Sequence, residues 1–117
     1  VMMAYPQVKH TYAFCDHPET LVNGLNLALR KAGLPVRAVL ASKEPINARI
    51  YAQEKLLNRG QMQLMRECKL LSYSLQNQVW DESKAEDTRL DNEPDVADVA
   101  DAWEYSWEAF IDQLGVR

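Results

Sequence analysis

Two short apolar runs joined by one helix-length of chain constrain this sequence more than anything else in it. The first, His10-Thr11-Tyr12-Ala13-Phe14-Cys15, is rich in aromatic and β-favouring residues and reads as a short, largely buried strand. The second, Val36-Arg37-Ala38-Val39-Leu40-Ala41, follows Pro35 and reads the same way. Between them, His17, Pro18 and Glu19 make a helix opening, with Pro early and an acid in the first turn. Leu21, Val22, Leu25, Ala28, Leu29 and Ala32 form that helix's apolar stripe, and Gly33 suits its C′ position. Strand, helix and strand with short connections predict a parallel crossover, hence an α/β fold. Asp16 then stands at the carboxyl end of a buried parallel strand, the edge where ligands and catalytic groups collect. Asp is also a common N-cap, and the two readings of Asp16 weigh about equally. His17, beside it, reads as a solvent-facing turn residue.

Further along, Pro45 sets the first turn of a second helix with apolar positions at 46, 50, 53/54 and 57. Leu56 and Leu57 are its firmest members, and Gly60 is its stop. Lys43 precedes this helix and Arg49 lies one turn inside it. Both could reach a phosphate backbone, and both equally suit ordinary solvated cations. Met62–Met65 reads as a short strand, and residues 66–78 as a helix with Cys68, Leu71 and Leu75 inward. Trp80 is expected to pack on the core. Residues 81–94 are acidic and polar, the composition of a mobile loop.

The last helix carries carboxylates at Asp95, Asp98 and Asp101, each three residues from the next and so neighbours on one face. Val96, Val99, Ala100, Trp103, Trp107, Phe110, Ile111 and Leu114 form its core-facing stripe. Clustered carboxylates at the margin of a buried face are hard oxygen ligands suited to Mg²⁺ or Mn²⁺. The plainer reading places them near a helix N-terminus or in water, as short acidic stripes often are.

With 117 residues, 47% of them hydrophobic, the chain is expected to be one globular domain or a fragment of one. No apolar run approaches the roughly 20 residues of a membrane helix, so no membrane partner is expected. No secretory signal is visible, and the opening Val1-Met2-Met3 reads as the start of an excised segment. Cys15 and Cys68 lack metal-ligand spacing and read as reduced core residues of a cytoplasmic protein. Charge is polarised: residues 1–60 carry +4 and residues 61–117 carry −8. That split suits internal complementarity, or a phosphate-contacting surface beside a metal-collecting one.

The order of parts is more specific than any one of them. A strand ending in Asp16, a helix and a second strand come first, followed by Lys43-x-x-Ile46-x-x-Arg49-Ile50 and a Leu56-Leu57-x-x-Gly60 turn. A Cys-containing helix, the Trp80-Asp81 pair, an acidic loop and Asp101-Ala102-x-x-Tyr105 complete the succession. Over about residues 11–112 this resembles the C-terminal nuclease domain of tailed-phage large terminase subunits, the DNA-packaging motor proteins. The resemblance implies a partial RNase H-like fold, with a short, mostly parallel sheet flanked by helices. It also implies metal-dependent cleavage of double-stranded DNA by two divalent ions, Mg²⁺ or Mn²⁺, held by carboxylates. Asp16 matches the family's second catalytic aspartate and Asp101 its third, both as metal ligands. Asp98 falls where many members carry His and could supply a further ligand. Lys43 and Arg49 match the family's basic, DNA-facing positions. In the intact protein the partners would be DNA, the terminase ATPase domain and the portal.

One departure is plain: no Asp or Glu occurs in residues 1–15, so the family's first catalytic aspartate has no match. Two-metal hydrolysis needs ions about 3.5–4 Å apart clamped by several carboxylates, so this piece alone is expected to be impaired. Two rivals follow. One is a non-catalytic prophage remnant or assembly module, dimerising through an exposed strand edge. The other is an acidic protein-interaction domain using residues 81–101.

Overall fold

The computed structural model describes residues 8, 10–85, 88–90 and 96–117. The chain divides into two compact units, Val1–Ser42 and Lys43–Arg117. Together they make an α/β protein whose single described sheet has two parallel strands. Among the described residues, no helix is long and apolar enough to cross a membrane.

The first unit is the expected crossover. Strand β1, Thr11–Cys15, leads through helix α1, Glu19–Lys31, to strand β2, Val36–Leu40. The strands pair in parallel, from Thr11 opposite Val36 to Cys15 opposite Leu40. Pro18 occupies the N-cap position of α1 with no side-chain capping bond. Gly33 ends the helix at φ 70°, a left-handed conformation that glycine adopts without steric cost. The apolar stripe of α1 is only partly used: Val22 is buried, while Leu21 and Leu25 are exposed.

The outer edge of β2 is closed by a side chain. The Asn26 carboxamide donates to the Ala38 carbonyl at 2.8 Å and accepts from the Ala38 N–H at 2.7 Å. A primary amide carries the same donor and acceptor as a peptide bond, so it substitutes for one residue of a neighbouring strand. Ala38 is 2% exposed, and without this clamp both of its backbone groups would be buried and unpaired.

The second unit is helical: α2, Ile46–Asn58; α3, Lys69–Gln76; α4, Val96–Glu108; and α5, Ile111–Leu114. Its core is Ala52 and Leu56 from α2 with Trp107, Ile111 and Val116, and Met62, Trp103 and Leu114 pack against it. Trp103 and Trp107 meet edge to face with ring centroids 5.6 Å apart, a favourable arrangement of their quadrupoles. The Ser74 hydroxyl of α3 donates to the Val96 carbonyl at the start of α4.

Several local expectations are corrected here. The inward face of α2 is Arg49, Ala52 and Leu56, one residue out of register with the stripe expected from the sequence, and Leu57 is exposed. Residues 62–65 form no strand. Cys68 is exposed at the N-cap of α3. Trp80 and Phe110 are each about two-fifths exposed, and the last helix breaks at residues 109–110. Asp95 and residues 86–87 and 91–94 of the acidic loop lie outside the described residues.

The Asn26 clamp gives a direct test. Asn26→Ala is expected to lower stability by about 2 kcal/mol, the cost of leaving buried backbone groups unmade, as read by urea denaturation. Asn26→Asp restores the acceptor but not the donor and is expected to recover little of it.

Candidate functional site

The chemistry of the second unit concentrates where α2 faces α4. Arg49 lies three and seven residues before Ala52 and Leu56, so its stem follows the inward stripe of α2, and it is 6% exposed. Across from it, α4 brings in Glu104 and Glu108, four residues apart and four and eight beyond the buried Ala100. Arg89, opposite Trp80 in an isolated antiparallel bridge, is also 6% exposed.

These side chains form one connected cluster with Asp101. Arg49 contacts Asp101 Oδ1 at 3.1 Å, Glu104 Oε1 at 3.0 Å and Glu108 Oε2 at 3.4 Å. Its Nε also donates to the Glu44 carbonyl at 2.7 Å, and its guanidinium lies 5.6 Å from the Tyr105 ring centroid. Arg89 contacts the same Asp101 Oδ1 at 2.6 Å and the second oxygen of Glu104. Glu104 therefore bridges the two arginines, one on each oxygen.

Glu108 is held from the other side by backbone. The N–H groups of Lys43 and Glu44 donate to its two oxygens at 2.6 and 3.2 Å. Lys43 has φ 54°, an uncommon conformation for a residue with a Cβ. The strain is local and has an evident use, since successive N–H groups around a left-handed residue form a concave anion cradle. Burial pushes the Glu108 carboxyl above its ordinary value, opposed by those two amides and by Arg49.

The residues expected to carry function fall out as follows. Asp16 is exposed directly after β1, in the first unit, and the cap position of α1 belongs to Pro18. Asp98 is exposed in the first turn of α4. Asp101, one turn later, keeps 32% of its side chain exposed, while the Glu104 and Glu108 side chains are fully buried. The Lys43 side chain is exposed, and its backbone serves Glu108. Arg49 is not presented to solvent: the inward register of α2 commits it to three carboxylates. Arg89, Glu104 and Glu108 were not picked out from the sequence. The two glutamates had a positional signal, since they fall inside the apolar stripe of α4; Arg89, in the bridge with Trp80, had none.

Asp98 and the open side of Asp101 are hard oxygen donors one turn apart, which suits Mg²⁺ or Mn²⁺ by ligand chemistry. Both arginine contacts converge on Oδ1, and Oδ2 accepts nothing from the described residues. No group of three or more His, Cys, Asp or Glu that could hold a metal ion occurs among the described residues. No family model, curated protein or solved structure matches the chain.

Two measurements test the cluster. Arg49→Ala leaves Glu104 and Glu108 buried against too little positive charge, and is expected to cost about 3–5 kcal/mol in denaturant unfolding. Glu108 bears on pH dependence. Its folded pKa is raised, so the folded chain binds that proton more tightly than the unfolded chain does. Its contribution to stability is therefore present below about pH 4.5 and lost as pH rises through the folded value. Glu108→Gln is expected to remove that downward slope in a series of thermal melts from pH 4 upward.

Proposed function

We propose that this chain is part of a terminase-type nuclease domain, cleaving double-stranded DNA with divalent metal in the intact protein. Asp16 is the observation that carries the reading. It is an exposed aspartate at the carboxyl end of the first strand of a parallel crossover. The order of elements after it supports the same reading. Lys43 and the Arg49-bearing α2, with Gly60 just beyond its end, are followed by the Cys68 helix and Trp80-Asp81, and then by the acid-bearing α4 that contains Asp101-x-x-x-Tyr105.

In this reading Asp16 and Asp101 are each metal ligands, as the resemblance implies, and Asp98 adds a carboxylate from the turn of α4 before Asp101. When bound, the ions lower the pKa of water to make the nucleophile and neutralise charge on the phosphate. Lys43 supplies an exposed cation to the DNA backbone, where it contributes affinity without sequence preference. Arg49 acts one step back, fixing Asp101 on α4 at the rim of the buried cluster.

A second reading, a non-catalytic or assembly module, draws on a different observation. Asp101 is already countered by two guanidinium groups, an arrangement that satisfies the carboxylate without metal.

A Mn²⁺ titration by calorimetry separates the two. Saturable binding that is lost in Asp101→Asn and weakened in Asp98→Asn supports the nuclease reading. No binding, or binding indifferent to Asp101, overturns it. Concentration-dependent sedimentation in that case supports the assembly module.

A further inference from the structure

The end of the crossover at which its strands begin carries charge of one sign. Asp16 and Glu19 are the only acids of residues 1–42, and both lie where β1 ends and α1 begins. Arg30, Lys31 and Arg37 lie at the other end, where α1 stops and β2 starts, a helix length of about 20 Å away. Neither Arg30 nor Arg37 has an ion-pair partner among the described residues. A cation in the last turn of a helix complements the helix dipole, which gives Arg30 and Lys31 an ordinary role. Arg37 has no such role: it sits on a strand whose outer edge Asn26 already closes.

Two adjoining clefts meet at this end. One, of about 490 Å³, is lined by Asn23, Asn26 and Arg30 of α1 with Val36 and Arg37 of β2. The other, of about 420 Å³, shares Val36 and Arg37 and adds His10, Tyr12 and Leu34 among its walls. Both are of a size that takes small ligands. The first is rich in donors, with two guanidinium groups and the Asn23 carboxamide. The Val36 N–H adds a third kind of donor. Alternate residues of a strand turn their backbone groups to the same side, and those of Ala38 turn outward to Asn26. No described carboxylate lines either cleft. The second cleft offers an aromatic surface, since Tyr12 is about half exposed. Tyr12 pairs with Arg37 in the strand register, so both side chains leave the same face of the sheet.

We infer that these joined clefts bind a nucleoside phosphate, with the phosphate between Arg30 and Arg37 and the base against Tyr12. Planar guanidinium groups suit phosphate because two parallel N–H bonds match two of its oxygens. Stacking on an exposed ring tolerates any base, because every base has a π-face. A free nucleotide and one unit of a single-stranded nucleic acid present this same chemistry. The site lies at the opposite end of the strands from Asp16 and uses none of the acids of α4. It therefore stands or falls apart from the nuclease reading.

The test follows backbone amide shifts of the full chain by NMR during titration with inorganic phosphate, deoxyadenosine monophosphate or a short oligodeoxyadenylate. The monophosphate is expected to shift the amides of Tyr12, Arg30, Val36 and Arg37, and to bind about tenfold more tightly than inorganic phosphate. Arg37→Gln is expected to weaken it about tenfold, and Tyr12→Ala to reduce it to the affinity of inorganic phosphate. The exposed Arg66→Gln, a control for net charge, is expected to change it little. An oligonucleotide that binds much more tightly than the monophosphate identifies a single strand as the source. Equal or weaker binding identifies a free nucleotide, and either result supports the site. No binding of monophosphate or oligonucleotide at millimolar concentration overturns the inference, as does binding that either Arg37→Gln or Tyr12→Ala leaves unchanged. Should a variant fail to fold, the wild-type shifts decide: a response confined to residues 43–117 overturns it as well.

Discussion

Two guanidinium groups set among three carboxylates hold the second unit in register. Transferring five ionisable side chains out of water is costly, and their mutual attraction offsets that cost only when the set is complete and its geometry good. Here the partners come from three places in the chain: Arg49 from α2, Arg89 from the bridge after α3, and all three acids from α4. The cradle under Glu108 comes from the turn before α2. The apolar core of Ala52, Leu56, Trp107, Ile111 and Val116 joins α2 to α4, to α5 and to the chain just after it. Burial there rewards close packing of α2 on α4 without discriminating finely among rotations of one on the other. The ionic cluster does discriminate, because a rotation that suits the core but misplaces Arg49 strands Glu104 in an apolar interior.

This division of labour explains how the sequence was legible and where it was not. The crossover of the first unit could be read because its signals are local: β-favouring runs, Pro18, Gly33 and a short return. Gly60 could be read as a stop for the same reason, since a left-handed residue after a helix is a backbone requirement. The register of α2 could not, because assigning Arg49 to solvent rotates the inferred apolar face by one residue. Glu104 and Glu108 were hidden by the same assumption, that a charged side chain marks the wet side of a helix. Only pairing across elements makes their burial tolerable, and single-helix periodicity carries no information about what lies opposite. Cys68 and Trp80 erred in the other direction, apolar residues on short segments with too little neighbouring structure to cover them.

Asp98 and Asp101 show how one stripe divides into different environments. Successive turns of α4 run from an exposed acid, through a partly exposed one that meets two arginines, to two fully enclosed ones. Spacing of three or four residues in the sequence thus becomes a graded series in space. The chemistry open to each carboxylate follows its depth: solvent and ions at the outer end, fixed guanidinium partners at the inner end.

Asn26 has a consequence for how this sheet can be extended. With both polar groups of Ala38 occupied by a side chain, a strand laid along β2 would forfeit its central pair of ladder bonds or have to evict the amide. The sheet therefore has a finished side and a direction of growth, away from β2. One amide placed from a crossover helix does what other proteins achieve with an edge proline or an inward lysine. Because it matches the hydrogen-bonding pattern of the backbone rather than obstructing it, it ends the sheet without leaving the last strand short of a bond.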